Sequence, residues 1–275
     1  MSVVNTNLHA TKAQAALVAT NRTLSQSMAQ LSTGKRINTA ADDAAGLAIS
    51  NKLTTQARSL NMAVRNTNDG ISMMQTADSA AGGIQEMLYR MKELAVQAVN
   101  DTNSTDERTA LNSEFQELES QITNTVSNTT WNGMNLLDGT VGNAGTVSYH
   151  VGAKANDKVN VIFAEFDLAA QPLTTARTIN TRANASTALT SIDGAINQIN
   201  SARATWGAAM NRLVHSGDNA ANVSMNLVES SSRIMDTDYA QATAEMARSM
   251  ILNQAGSAML SQANQQPYYV LALLS

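Results

Sequence analysis

Only two prolines, Pro172 and Pro267, interrupt this chain of 275 residues. Proline is the residue that most reliably breaks a helix, because it lacks an N–H and its ring meets the carbonyl four residues back. Long stretches are therefore open to uninterrupted helix, and the hydrophobic spacing fills them. Val3, Ala10, Leu17, Leu24 and Leu31 recur every seven residues and draw one stripe along a helix over 2–33. The residues between are mostly Thr, Asn, Gln, Ser and Ala. A stripe this thin does not hold an isolated helix in water, so this one needs a partner helix. Gly34, followed by Lys35 and Arg36, marks its end.

Thr39-Ala40-Ala41-Asp42 then reads as a shortened capping box, with Thr39 as the cap. The helix it opens runs to about Asn100 and shows its clearest stripe at Ile84, Leu88, Met91, Ala95 and Ala98. Roughly 55–60 residues at 1.5 Å each predict a rod of about 80–90 Å. Gly70 and the pair Gly82-Gly83 are expected points of bending. Ser104-Thr105-Asp106-Glu107 is a full capping box, and Leu111, Phe115, Leu118 and Ile122 continue the same spacing. Asn100 to Asn103 is then a short turn between antiparallel helices.

The segment 131–175 changes character. Glycines punctuate it, and 147–151 and 159–163 have strand composition around a turn-rich stretch, which predicts a β-hairpin. Helical spacing resumes near Ser186 through Ile192, Ile196, Ile199, Trp206, Met210 and Leu213, with Arg203 in the skipped place. A last helix is expected from about Asp236 to Ala263, its apolar residues being Met246, Met250, Ile251, Ala255 and Ala258. The two ends match in character and suit pairing with each other or with copies of themselves. The fold class is mainly α: a long helical rod or coiled coil with a small β-hairpin.

Composition narrows the function. Hydrophobic residues make up 43% but aromatics only 4%, so the apolar content is mostly Ala, Leu, Ile, Val and 14 Met, and suits close helix packing. A net charge of -4 argues against a nucleic-acid surface, and Lys35-Arg36 is too small a basic cluster to supply one. With no cysteine, disulfides, thiolate metal sites and a Cys nucleophile are excluded. Met1 to Leu17 lacks the basic and apolar regions of a cleavable signal, and Tyr268 to Leu274 is too short to span a bilayer.

The search for chemistry returns little. His9, His150 and His215 fall in three different predicted elements, and no H-E-x-x-H is present. Asp42 and Asp43 sit in the first turn of a predicted helix, where the dipole favours negative charge, and capping is the simpler reading. Glu114, Glu117 and Glu119 read as a solvated face. There is no G-x-S-x-G elbow and no phosphate-cradling loop. Nothing here points to an enzyme, a cofactor or a metal.

Three blocks carry a resemblance. Residues 31–50 (L-S-T-G-K-R-I-N-T-A-A-D-D-A-A-G-L-A-I-S) are similar to the N-terminal signature of bacterial flagellins. Residues 90–103 (R-M-K-E-L-A-V-Q-A-V-N-D-T-N) resemble its second block. Ser232 to Ala240, Gln254-Ala255-Gly256, Gln262 to Gln265 and Val270 to Leu274 resemble its C-terminal block. The resemblance covers about 1–165 and 186–275. It implies a short subunit of the extracellular bacterial flagellum. Residues 1–40 and 236–275 would form an inner coiled-coil layer called D0, and 41–235 a rod domain called D1 with its hairpin near 147–163. It leaves no room for outer domains between Phe166 and Ser186.

The same resemblance implies partners. The subunit would polymerise with itself through terminal-helix residues such as Leu17, Leu24, Leu31, Met250, Ile251 and Leu260. It would be exported unfolded by the flagellar type III system, meet an export chaperone through its C-terminal helix, and contact the filament cap and hook-junction proteins. Arg90, Leu94 and Glu114 stand where flagellins present residues to an innate Toll-like receptor. Leu94 is close to the buried stripe, so packing between subunits is its simpler role. Two other readings remain open at this point: a hook–filament junction protein, and a soluble coiled-coil adaptor that forms no filament.

Overall fold

In a computed structural model, residues 6–163 and 178–272 are described, with side chains described as far as Gln265. Val3, Phe166 and most of the interval before Ser186, and the end of the apolar C-terminal run lie outside the described residues or side chains. The elements run α1 (Leu8–Thr33), α2 (Ala44–Val99), α3 (Thr105–Asn128), β1 (Thr130–Trp131), β2 (Met134–Asn135), β3 (Thr146–His150), β4 (Lys158–Ile162), α4 (Arg182–Met235) and α5 (Tyr239–Ala272). The chain forms two compact units. One contains Met1–Gln56 and Met225–Ser275, and the other Ala57–Ser224. We call them the terminal unit and the central unit.

The central unit is built on α2, α3 and α4. α3 and α4 both run antiparallel to α2, as their contacts show: Arg90 meets Glu114 and Ala98 meets Arg108, while Lys92 meets Asp193 and Asp78 meets Arg203. The capping box at Ser104 forms in full. Ser104 N–H donates to Glu107 Oε2 at 2.7 Å, and Glu107 N–H donates to Ser104 Oγ at 3.3 Å. The Ser104 N–H, and after it the Ser104 hydroxyl acting on the same carboxylate, favour the ionised acid and hold Glu107 below the usual carboxylate range. Arg108 closes the preceding turn, donating to Ala98 O at 2.9 Å and Asn100 O at 3.0 Å. It thereby satisfies carbonyls that the end of α2 leaves bare.

The expected hairpin is present one residue earlier than its composition suggested, with Thr146 opposite Ile162 and His150 opposite Lys158. Val159 and Val161 alternate inward, and Trp206 of α4 donates its indole N–H to Ile162 O at 3.0 Å. Phe163 lies against the Trp206 ring with centroids 5.7 Å apart. Tyr149 is buried, donates to Met73 Sδ at 3.0 Å, and has its phenol pushed up to about 12 by burial. A second, two-residue hairpin pairs Thr130 with Asn135 and Trp131 with Met134. Its turn, Asn132-Gly133, has positive φ at both residues, the arrangement that twists correctly between two strands.

Several boundary expectations need correction. Thr39 does not cap α2. Asp42 reaches back to the Asn38 and Thr39 N–H groups, closing a turn, and Asp43 is the cap, accepting from Gly46 N–H at 2.9 Å. The short side chains of Asp42 and Asp43 each close one local loop, so the turn and the cap are separate. α2 runs without interruption through Gly70. This glycine admits Tyr149, whose Cδ1 would stand 2.8 Å from a Cβ at that position. Gly82 and Gly83 lie inside an uninterrupted α2 with open space around them. α4 starts at Arg182, four residues before the expected point, because Thr181 Oγ1 accepts from Asn184 N–H at 3.2 Å as a cap. Arg203 leaves the apolar stripe to reach Asp78 at 2.7 Å and Gln85 at 2.7 Å on α2. Finally, α5 continues past Ala263 and through Pro267.

Candidate assembly interface

In the terminal unit α1 and α5 pair along their length. Asn7 meets Ala263, Leu17 meets Gly256, Asn21 meets Asn253, and Gly34 meets Tyr239. The first number rises as the second falls, so the pair is antiparallel. On α1 the inward residues are Ala10, Ala13, Leu17, Thr20, Leu24, Ser27 and Leu31, buried or half-buried at alternating steps of three and four. On α5 they are Ala242, Met246, Ser249, Asn253, Gly256, Leu260 and Ala263. The thin stripe at Leu17, Leu24 and Leu31 thus finds its partner helix in the other end of the same chain.

This seam is small and polar. Ser27 and Ser249 are its buried polar residues, and the Asn21 and Asn253 side chains are hydrogen-bonded to each other. Gly256 has no Cβ where Leu17 Cδ2 would stand 2.8 Å from one, so the helices approach closely there. α1 ends at Gly34, whose φ of 70° suits a residue without a side chain, and its N–H donates to Gln30 O at 2.9 Å. The chain on either side of the seam is tied by backbone bonds: Arg36 N–H to Met235 O at 2.6 Å and Thr237 N–H to Gly34 O at 3.0 Å. Ser50 and Ser231 add a hydroxyl pair at 2.7 Å.

α5 also carries large apolar side chains away from the seam. Met250 is 49% exposed, Ile251 66% and Met259 65%, with Leu252 and Ala255 beside them. The six expected interface residues therefore divide. Leu17, Leu24, Leu31 and Leu260 lie in the seam within one chain, while Met250 and Ile251 face outward. Asn7, Asn21, Asn253 and Gly256 were missed, because a search for apolar periodicity passes over polar and glycine seam positions. For Asn253 and Gly256, the seven-residue spacing that also holds Met246, Leu260 and Ala263 was the available signal.

Arg90 and Glu114 are brought together on the exposed face of α2 and α3, with Nε to Oε1 at 2.9 Å, and Arg90 also reaches Glu93 at 3.0 Å. The hydrogen bonds Arg90 donates to Glu114 and then to Glu93 raise the guanidinium pKa further. Leu94 is not beside them on the surface. It is 1% exposed and belongs to the apolar core of the central unit, so its packing is within its own chain rather than between subunits. Among the described residues, no cluster of His, Cys, Asp and Glu could hold a metal, and no helix is long and apolar enough to cross a membrane.

A helical core, paired chain ends and large apolar side chains left outward on α5 are the features of a structural helical protein. The comparisons with known proteins agree. Residues 4–142 match the bacterial flagellin N-terminal helical region, and residues 189–274 match the bacterial flagellin C-terminal helical region. The chain is 42% identical over 273 residues to a flagellin of Halalkalibacterium halodurans, covering 99% of both chains. It is 37% identical over 302 residues to a flagellin of Bacillus subtilis, covering 98% of this chain and 99% of that one. The crystal structure of Bacillus cereus flagellin matches with a TM-score of 0.51 at 33% identity, covering 57% of this chain and 88% of that one. The chain belongs to the bacterial flagellin family. It is accordingly a structural subunit of the flagellar filament, which flagellins build by self-assembly outside the cell, and not an enzyme.

Proposed function

We propose that the α1·α5 pair is the polymerising part of this subunit, with the outward face of α5 making the principal contacts between copies. The observation that carries this reading is the exposure of Met250, Ile251, Leu252 and Met259 on the sides of α5 away from α1. Large apolar side chains turned outward need an interior on that side, and neighbouring copies would supply it. Leu17, Leu24, Leu31 and Leu260 act indirectly, by holding α5 against α1 so that this face is presented. Under this reading 1–40 and 236–275 make the inner D0 layer and 41–235 the D1 rod.

The seam buries few large side chains against a backbone entropy cost of about 1–2 kcal/mol per residue. Ordering of the ends is then coupled to assembly, which keeps the monomer soluble and makes growth cooperative. The same weakness suits export as an unfolded chain without a cleaved signal, with the apolar α5 as the chaperone's binding segment before assembly. The filament cap and hook-junction proteins are the further partners of the assembled ends. Receptor recognition would fall on the Arg90–Glu114 pair, with Leu94 supporting it from beneath. Arg90→Asp is expected to weaken receptor binding by the purified monomer, and undiminished binding would count against that assignment.

Seeded polymerisation watched by electron microscopy tests the main reading. Full-length chain should extend seeds, and a chain lacking 1–40 and 236–275 should stay monomeric. Growth by both would remove the terminal pair from its proposed role. Growth by neither would turn the reading toward a junction protein or a non-filamentous adaptor.

A further inference from the structure

We infer that Asn7 and Pro267 act together as a register clamp on the α1·α5 pair. α5 is helical from Tyr239 to Ala272 and contains Pro267. Proline has no N–H, so the carbonyl four residues earlier, that of Ala263, loses its partner within the helix. Asn7 Nδ2 donates to that same oxygen at 2.7 Å. The other end of the Asn7 amide caps α1, with Oδ1 accepting from Ala10 N–H at 3.0 Å. One side chain therefore starts α1 and fixes where α5 lies on it.

Asparagine suits both tasks because its amide carries an acceptor and two donors, whereas an aspartate is acceptor-only when ionised. The clamp also discriminates between registers. Neighbouring carbonyls in α5 are engaged by helical N–H groups, so a slip of one residue takes Asn7 away from the bare oxygen. The same slip would bring Ala255 or Ser257, which carry a Cβ, opposite Leu17 in place of Gly256. It would also separate the Asn21 and Asn253 amides, which pair in this alignment. A polar residue in a coiled-coil seam sets register in the same way. The clamp lies inside one chain and stands apart from what the outward face of α5 meets.

Amide exchange of the full-length chain tests it, measured on filaments, or on the monomer if none form. Asn7→Asp and Asn7→Ser both keep a capping acceptor for α1. Neither keeps a donor that reaches Ala263. Each is compared in the native and the Pro267→Ala backgrounds, where alanine returns an N–H to the Ala263 carbonyl. With Pro267 present, both variants should speed exchange across 8–33 and 239–263 by about fivefold, the effect of one lost hydrogen bond. With Pro267→Ala the effect should fall below about twofold. Equal effects in both backgrounds, no effect in either, or a native chain unprotected across these segments would overturn the clamp. Failure to form filaments would sink the assembly reading alone, leaving the exchange comparison to decide this one.

Discussion

The two units solve the same helical packing problem with opposite materials. The central unit fills its core with Trp206, Phe115, Phe163, Leu88, Met91 and Ile122, all 1% exposed or less. The terminal unit places serine, asparagine, alanine and glycine along its seam and leaves large apolar side chains of α5 outside. A core of the first kind stabilises one chain by itself, since each large side chain removed from water contributes about 1.5–3 kcal/mol. A seam of the second kind specifies alignment more than it stabilises. Burial strength and pairing specificity are thus separable, and this chain assigns them to different regions.

The largest expected effect is in the central unit. Trp206→Ala should cost about 3–5 kcal/mol by leaving a cavity and an unpaired Ile162 carbonyl, read as a lower chemical-denaturation midpoint of the monomer. Gly70→Ala should come next, at about 1–3 kcal/mol, because the added methyl meets Tyr149 and Leu213. A neutral Gly70→Ala would show that the Tyr149 site yields easily. Leu24→Ala in the half-buried seam should cost the monomer less than about 1.5 kcal/mol. A loss matching that of Trp206→Ala would erase the contrast between the units. Gly83→Ala should stabilise the central unit by about 0.5–1 kcal/mol, since helix propensity improves and nothing stands in the way.

The smallest effect is on pH dependence, and each unit has a carboxylate to report it. Asp42 is held below its ordinary value of 3.8 by hydrogen bonds from the Thr39 and Asn38 N–H groups. Glu107 is held below 4.5 by the Ser104 backbone and hydroxyl. Both folded values are depressed, so each contribution is complete above the unfolded value and fades as pH falls through the folded one. Titration by NMR should find both acids below those values. Ser104→Ala should move Glu107 back upward and leave Asp42 unchanged.

What the sequence disclosed follows the same division. The stripes at Ile84 to Ala98 and Ile192 to Leu213 were legible because the central unit uses large apolar residues at helical spacing. The Ser104 cap was legible because all its partners lie within four residues. The α5 seam was not, because its strongest apolar residues, Met250 and Ile251, mark the outward face, and the inward one is written in Ser249, Asn253 and Gly256. The Thr130–Asn135 hairpin was passed over although Asn132-Gly133 is a specific turn signal, since two-residue strands leave no alternation to find. Leu94 was placed between subunits because a sequence shows that a position is buried without showing by which chain.

The 256-residue separation of Asn7 from Ala263 fixes when this seam can form. Closing so long a loop directly costs about 3 kcal/mol more entropy than closing the ten-residue turn that Arg108 bridges. The central unit removes most of that distance when it folds, because Ser224 then hydrogen-bonds to Ala57 and Asn61. From there the chain ends can zip outward through Ser50–Ser231, Arg36–Met235 and Asn21–Asn253, each contact shortening the loop for the next. Folding kinetics should then show a fast central phase, with the terminal pairing completed as copies assemble and Asn7 the last residue to arrive.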